Sequence, residues 1–340
     1  MRSVVDAVNW ESFSGAEGEG GDRLGGRRII GDIGGTNARF AIAEGGKYRE
    51  LMHVEVGRFS SLHDALTDYL NGLPPASRSG LDGALAVAGP VFGDSVVLTN
   101  LGWSFSISEL NRSLGLGSLK VVNDFAATAM AVPHLPGADV FPVGPRILAA
   151  AGPIGIIGPG TGLGVSALIP DGRKWVMVAG EGGHVTLPSA SKEEDAIIEV
   201  LRKRWSHVSA ERVLSGAGLV NLYEARCTID GSAARALTPA DVTRYAMAGT
   251  DHQCVRAFSH FCAFLGSAAG DLALTFGATG GIYIAGGILL RFKEALASSP
   301  FRESFERKGR FAGMLAKIPT CLILEESPAL LGLAHLPLAG

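Results

Sequence analysis

The chain is poor in cysteine. Only Cys227, Cys254, Cys262 and Cys321 occur in 340 residues, with no C-x-x-C pair and no dense framework. A disulfide scaffold and a cysteine-based metal site are disfavoured, and the four are read as reduced, buried thiols. No run of lysine or arginine stands out. With 30 basic and 33 acidic residues the net charge is −3, which gives nucleic acid or an anionic membrane no handle. No apolar run approaches the roughly 18 residues a membrane span requires. The richest, 148–157, is broken by Gly152, Pro153 and Gly155. Residues 1–27 lack the apolar segment of a signal peptide, and Asp6, Glu11, Glu17, Glu19 and Asp22 argue against a transit peptide. Six glycines between Gly15 and Gly26 make this stretch read as a flexible extension.

Two common phosphate signatures are also missing. The sole Gly-Lys pair, Gly46-Lys47, is followed by Tyr48 and has Ala41 where a P-loop needs its first glycine. The segment GPGTGLG at 158–164 does not fit G-x-G-x-x-G, because Leu163 and Val165 stand at the candidate third positions. P-loop and dinucleotide-binding readings lose support.

What the chain does have is a core: 47% hydrophobic and 19% charged residues favour a folded protein over disorder. At roughly 150 residues per domain the length suggests two domains. They are placed at 28–134, joined by 326–340, and at 135–325. Ile29-Ile30 precede a glycine turn and Phe40 and Ile42 follow it, the signature of a hairpin. The stretch 153–170 repeats that layout, which suggests two related halves. Helical spacing marks 61–73, 124–131, 218–226 and about 255–276, where Gly266, Ala269 and Gly270 allow close helix packing. Ser191 and Glu194 are spaced as a capping box for a helix over 191–205. Short buried strands are expected at 83–91, 119–125 and 280–288. Helices interleaved with strands argue an α/β protein carrying two sheets with a cleft between them.

Three glycine clusters sit at strand ends: 31–39, 158–164 and 285–288. Glycine lets successive backbone amides approach an anion, and Thr36 and Thr161 add a hydroxyl to two of the clusters. One such cluster alone is equally an ordinary tight turn; three together point to phosphate. Asp32 beside a phosphate makes sense if Mg²⁺ bridges the phosphate oxygens, since hard carboxylates suit that ion. Asn123-Asp124 closes a strand and opens a helix, where the helix dipole favours an ionised carboxylate. Such an aspartate can accept a hydroxyl proton during phosphoryl transfer, or can simply be the helix N-cap. Glu181 and His184 lie among glycines, Glu211 lies in SAERVLSGAG, and Asn100 follows a strand. Carboxylates and amides of this kind suit polyol recognition, because each sugar hydroxyl both donates and accepts. A solvated glutamate and a core histidine are the plainer readings of Glu181 and His184. His207, His252 and His260 show no partner and are left structural.

The segments GDIGGTNARFAI, LTNLGWSFS, VVNDFAATAMAVPHL, GPGTGLGVSALI, GEGGHVTL, ERVLSGAGLVNLYEA, GGIYIAGGI and KGRFAGMLAKIP together resemble the bacterial glucokinases in order and spacing, over about residues 28–335. The absence of a zinc-binding cysteine cluster makes the resemblance one to the zinc-free, non-ROK group. It implies a two-domain actin-like ATPase (ribonuclease H-like) fold with an interdomain cleft, of the hexokinase–actin–Hsp70 superfamily, and ATP-dependent phosphorylation of glucose. It further implies Asp124 as general base and Asn100, Asn123, Asp124, Glu181, His184 and Glu211 as sugar contacts. Gly31, Asp32, Ile33, Gly34, Gly35 and Thr36, with Gly160, Thr161 and Gly162, would hold phosphates. Gly286 and Gly287 would flank the adenosine, and Asp32 would face Mg²⁺. A cytoplasmic homodimer is implied, without nucleic-acid or membrane partners. Two departures stand out: the extension 1–27, and Leu101-Gly102 where a more polar pair is common. A kinase of another hexose, a non-catalytic sugar sensor and a chaperone-type ATPase remain as alternatives.

Overall fold

The computed structural model describes residues 26–98, 101–172 and 174–338. Most of the expected extension and the candidate Asn100 lie outside the described residues. The chain forms two compact units: the first runs to Pro136 and regains the chain at Glu325, and the second holds Gly137–Val176 and Gly180–Leu324.

In the first unit β1 (Arg28–Ile33) is the central strand, almost wholly buried. It pairs antiparallel with β2 (Asn37–Glu44), and β3 (Lys47–Glu55) forms the edge beyond β2. On its other side β1 pairs parallel with β4 (Asp82–Val87). After the small ribbon of β5 (Ser95–Leu98) and β6 (Trp103–Ser106), β7 (Leu119–Asn123) adds in parallel beside β4. The sheet order is β3-β2-β1-β4-β7. Gly31 faces Phe40 and Leu85 across the two pairings, and a Cβ there would stand 2.9 Å from both side chains. Helix α1 (Leu62–Gly72) starts where the Ser61 side chain accepts the Asp64 N–H, and it buries Leu62, Ala65, Leu66 and Tyr69. Helix α2 (Ile107–Ser113) precedes β7, and α3 (Asp124–Ala131) follows it directly. The C-terminal helix, Pro328–Ala334, packs on α3 so closely that a Cβ on Gly332 would lie 1.8 Å from the Ala127 carbonyl oxygen.

The second unit repeats this scheme. Its sheet holds β8 (Val140–Pro142), β9 (Ile154–Pro159), β10 (Leu163–Asp171), β11 (Lys174–Gly180), β12 (Gly281–Ile284) and β13 (Thr320–Ile323). The order is β11-β10-β9-β12-β13-β8. A meander β9-β10-β11 followed by two parallel neighbours, β12 and β13, matches β1-β2-β3 followed by β4 and β7. The likeness extends to single hydrogen bonds. Ala88 N–H donates to the Ile33 carbonyl at 3.2 Å, and Ala285 N–H donates to the Ile157 carbonyl at 2.9 Å. Each alanine precedes a glycine at positive φ, Gly89 at 146° and Gly286 at 101°. The two related halves expected from the glycine turns are therefore present in the topology.

Helices α4 (Lys192–Arg202), α5 (Gly216–Asp230), α6 (Pro239–Ala248), α7 (His252–Phe276) and α8 (Phe301–Glu306) build the rest of this core. The expected capping box of α4 is half formed. The Ser191 hydroxyl accepts Glu194 N–H, but the Glu194 carboxylate reaches back to Ala190 N–H rather than to Ser191. A complete box, Thr238 with Asp241, opens α6 instead. Gly266 and Gly270 of α7 bring its backbone against α8, where added Cβ atoms would lie 2.0 Å and 2.6 Å from the carbonyl oxygens of Phe301 and Phe305. The expectation that no segment is long and apolar enough for a membrane span needs correcting. Helix α7 meets that test by length and composition, because phenylalanines, leucines, alanines and cysteines sustain its hydropathy without an unbroken apolar run. Its most apolar window is 72% buried, as in a core helix. Cys227, Cys254 and Cys262 are buried thiols, Cys321 is partly exposed, and none is paired.

Candidate active site

In the first unit the candidate residues lie at the C-terminal ends of β1 and β7, which flank β4 in parallel. The β1–β2 turn leaves Gly35 and Thr36 exposed and is closed by Gly34 N–H donating to the Asn37 carbonyl at 3.0 Å. Asp32, one step back on β1, faces Arg39 across the β1–β2 register, with the guanidinium 3.5 Å from its carboxylate. Burial pushes the Asp32 carboxyl above its usual range, while Arg39 works in the opposite direction. A second cation close by would favour the ionised form further. Ile33, Gly34, Gly35, Ala88, Leu98 and Leu101 line a pocket with room for little more than a water, about 10 Å³.

The reading of Asp124 as a plain N-cap does not hold: the cap is Asn123. Its side-chain oxygen accepts from Phe125 N–H at 2.9 Å and Ala126 N–H at 3.2 Å, and its amide donates to the Gly89 carbonyl at 3.3 Å. Asn123 thus ties the start of α3 to the corner after β4, which commits most of its bonding capacity to the scaffold. Asp124 becomes the first residue of α3, half-buried, with one carboxylate oxygen accepting Phe125 N–H at 2.8 Å. A carboxylate in the first helical turn is held ionised by the exposed amides and the helix dipole.

In the second unit the turn after β9 carries Gly160, Thr161 and Gly162. Gly160 N–H donates to the Gly162 carbonyl at 2.8 Å, and the Gly160 carbonyl accepts Gly216 N–H from the start of α5 at 2.9 Å. Glu211 lies on a 3₁₀ turn, Ala210–Arg212, and accepts Leu163 N–H at 2.9 Å. A Cβ on Gly162 would come within 2.4 Å of that carboxylate. The structure therefore joins Glu211 to the phosphate-type turn, a link that its distance in sequence gave no means to see. Glu181 and His184 bracket another 3₁₀ turn, with their side chains 3.9 Å apart and more than half exposed. The glycines between them are there for packing. A Cβ on Gly183 would meet the Leu163 carbonyl oxygen at 2.1 Å, and one on Gly182 would meet Val165 at 2.8 Å. From there Val185–Leu187 pairs with Val208–Ala210, which leads into Glu211. Gly286 completes the group, with its would-be Cβ 2.4 Å from the Pro159 carbonyl oxygen, and Gly287 begins a short helical turn. Glu181, His184, Glu211, the 160–162 turn and Gly286 are thus clustered about the end of β9.

Sequence reasoning missed two supports. Ser215 caps α5 by accepting Gly218 N–H at 3.0 Å and donates to the Glu211 carbonyl at 2.8 Å, so SGAG positions both the 160–162 turn and Glu211. The Arg212 and Arg204 guanidiniums both lie over the Trp205 ring, 4.7 Å and 4.6 Å from its centroid, and Arg212 belongs to the turn that bears Glu211. The adjacent E-R and R-W pairs were the available signal. Among the described residues no group of three or more histidine, cysteine, aspartate or glutamate side chains could by itself hold a metal.

The comparisons agree with the motif reading. A family model described as Glucokinase matches residues 29–338. A glucokinase from Nitrobacter hamburgensis is 66% identical over 311 residues, 92% of this chain and 97% of that one. The crystal structure of a glucokinase from an Antarctic psychrotroph superposes with a TM-score of 0.83 at 36% identity, covering 91% of this chain and 97% of the other. A ROK family glucokinase from Streptomyces griseus, solved with glucose and AMPPNP, shares the fold at a TM-score of 0.61 and 21% identity, over 92% and 99% of the two chains. With the family model covering nearly the whole chain and a relative at 66% identity, this chain belongs to the glucokinase family.

Proposed function

We propose that the chain transfers the γ-phosphoryl group of ATP to the 6-hydroxyl of glucose, with Asp124 as the general base. The observation that carries this is the placement of Asp124. Asn123 takes the capping role, which presents the neighbouring carboxylate at the first position of α3. An ionised carboxylate there can accept the hydroxyl proton as the oxygen attacks phosphorus, and it releases that proton after transfer. Glu181, His184 and Glu211 suit the remaining sugar hydroxyls, with Asn123 holding the backbone around Asp124 and Asn100 a further contact. The turns at 31–36 and 160–162 offer backbone amides to phosphate oxygens, and Gly286-Gly287 offers a side-chain-free surface to the adenosine. Only a bare backbone permits these close approaches.

Mg²⁺ fits the donor set as an ion carried by the nucleotide. One partly buried carboxylate, Asp32, stands beside an amide-rich turn, which is too few ligands for an all-protein cage and enough to meet a phosphate-bound ion directly or through water. Bound there, the ion would neutralise charge on the phosphate oxygens. Arg39 would keep Asp32 oriented. We further propose that the protein acts in the cytoplasm as a homodimer, without membrane or nucleic-acid partners.

The test is Asp124→Asn. Turnover in a coupled assay should fall by about 10²–10⁴-fold, the usual worth of a positioned base, while calorimetry still detects glucose binding. Near wild-type turnover would remove Asp124 from the mechanism. Running the same assay across mannose, fructose and amino sugars reads the sugar preference.

A further inference from the structure

Away from the candidate active site, α4, α5 and α7 of the second unit enclose a polar cluster that the proposed reaction does not use. Arg226, on α5, is only 4% exposed, and its Nε finds no hydrogen-bond acceptor among the described residues. Gln253, at the start of α7, has the converse defect. Its amide donates to Asp230 at 2.6 Å, which fixes the amide's orientation and leaves its buried oxygen without a donor. Arg256 and His260 follow at helical spacing on α7. Both face Glu193 in the first turn of α4, at 2.7 Å and 3.4 Å.

Buried guanidinium groups almost always have their N–H groups bonded, because an unpaired buried charge is strongly disfavoured. The two carboxylates near Arg226 do not fill that role. Asp230 is exposed and engaged with Gln253, and Glu193 is 58% exposed and engaged with Arg256 and His260. Water screens both, while Arg226 stays dry. Burial and the neighbouring Arg256 charge hold the Arg226 guanidinium below its ordinary proton affinity, as expected of a cation lacking an adequate counter-charge.

We propose that Arg226, Arg256 and His260 form a second anion site, which takes a phosphoryl group with one protonated oxygen. Its unprotonated oxygens accept from the arginines, its hydroxyl donates to the Gln253 oxygen, and the Glu193 side chain swings out to admit it. Glu193 is thus the competitor for the site in its empty state.

Three readouts on the full chain test this. Crystals soaked in tungstate, a strongly scattering phosphate mimic, should show an anomalous peak within hydrogen-bond distance of Arg226 and Arg256. Titration with inorganic phosphate should give a binding event that Glu193→Gln tightens by about tenfold, through loss of one charge-assisted competitor. Arg256→Gln should abolish that event; this side chain is 32% exposed, so its replacement is expected to leave folding intact, whereas Arg226→Met is the more disruptive check. A parallel titration with glycerol phosphate distinguishes the sources: stronger binding assigns the site to a phosphate monoester, weaker binding to free phosphate. Tungstate confined to the glycine turns, a water alone at Arg226 Nε, or identical phosphate binding in wild type, Glu193→Gln and Arg256→Gln would each overturn the proposal.

Discussion

The tightest backbone contact in the first unit concerns Gly332, and Gly332→Ala should uncouple the helix that carries Asp124 from its support. A Cβ there would sit 1.8 Å from the Ala127 oxygen, 2.8 Å from its carbonyl carbon and 3.0 Å from Ala131 N. These are main-chain atoms of α3, so no rotamer change can clear them. Since Cβ contacts under 3.0 Å are essentially never found, the two helices must part by more than 1 Å. Overpacking of a filled core costs about 1–3 kcal/mol, and α3 begins with the candidate base. A shift near 1 Å at a reacting group can lower turnover by about 10². The expected result is a clear drop in the thermal midpoint together with a kcat loss that exceeds any change in glucose KM. Gly313→Ala is the control. Gly313 lies in a helical turn with nothing within 4 Å of its would-be Cβ, so alanine there should be neutral or gain up to about 1 kcal/mol through helix propensity. Equal melting points and equal kcat for Gly332→Ala and wild type would refute the reasoning.

Three further outcomes are expected. Glu211→Gln keeps an acceptor for Leu163 N–H and should leave the melting point close to wild type while raising glucose KM; Glu211→Ala loses the acceptor as well and should cost a further 1–2 kcal/mol or so by denaturant unfolding. Wild-type KM in the glutamine variant would confine Glu211 to a scaffolding role. Arg302 is 9% exposed and donates to the carbonyls of Leu315, Ala316 and Ile318 and to Thr320, so Arg302→Met should destabilise by about 3–5 kcal/mol in urea, and a loss below 1 kcal/mol would contradict the network. His134 and His335 stack at 3.6 Å; burial and the other ring push His134 down to about 4, and burial with the Arg28 charge lowers His335 against an opposing backbone bond to Gly46. The unfolded chain therefore takes up protons first, near 6.5, so stability should fall as pH drops from about 6.5 toward 4, and His335→Asn should flatten that fall.

The parts of the fold that could be read from the sequence were those fixed by neighbours in the chain. Ile29-Ile30 before one glycine turn and Ile156-Ile157 before another placed both hairpins, and the spacing over 61–73 and Ser191 marked helices that the structure keeps. Misreadings arose where two local rules competed for one atom. Asn123 and Asp124 are both good caps, and the choice turned on Gly89, which accepts only from the asparagine amide. Glu194 had two backbone amides within reach and took Ala190. Non-local contacts left almost no trace. Nothing near Gly332 announces that it abuts Ala127, some two hundred residues earlier. The exposed edge strand β3 lacks the alternation that identifies a half-buried strand. The glycine clusters, read as places where a phosphate comes close, also hold close approaches of the chain to itself, at Gly31, Gly162 and Gly286. At Gly182 and Gly183 what comes close is strand β10, not a ligand.

That distinction bears on how one duplicated scaffold comes to hold two kinds of site. Both units keep the same corner, an alanine bonded back to the central strand and then a glycine at positive φ. The hairpin turns, by contrast, have diverged. After β1 the turn amides lie beside a carboxylate on the strand itself, Asp32, which is partly buried and pinned by Arg39. After β9 the carboxylate comes from a distant 3₁₀ turn, Glu211, and already occupies the first amide of the returning strand. An anion arriving at the first turn meets a negative neighbour whose pairing improves when a cation accompanies the anion. An anion arriving at the second meets amides that remain after Glu211 has taken its share. On the proposed reading the first turn suits a phosphate that brings a metal ion, and the second suits one held by backbone alone. On that reading the repeat supplies the geometry, and the carboxylate beside each turn, reached by a different route, biases which charge that turn accepts.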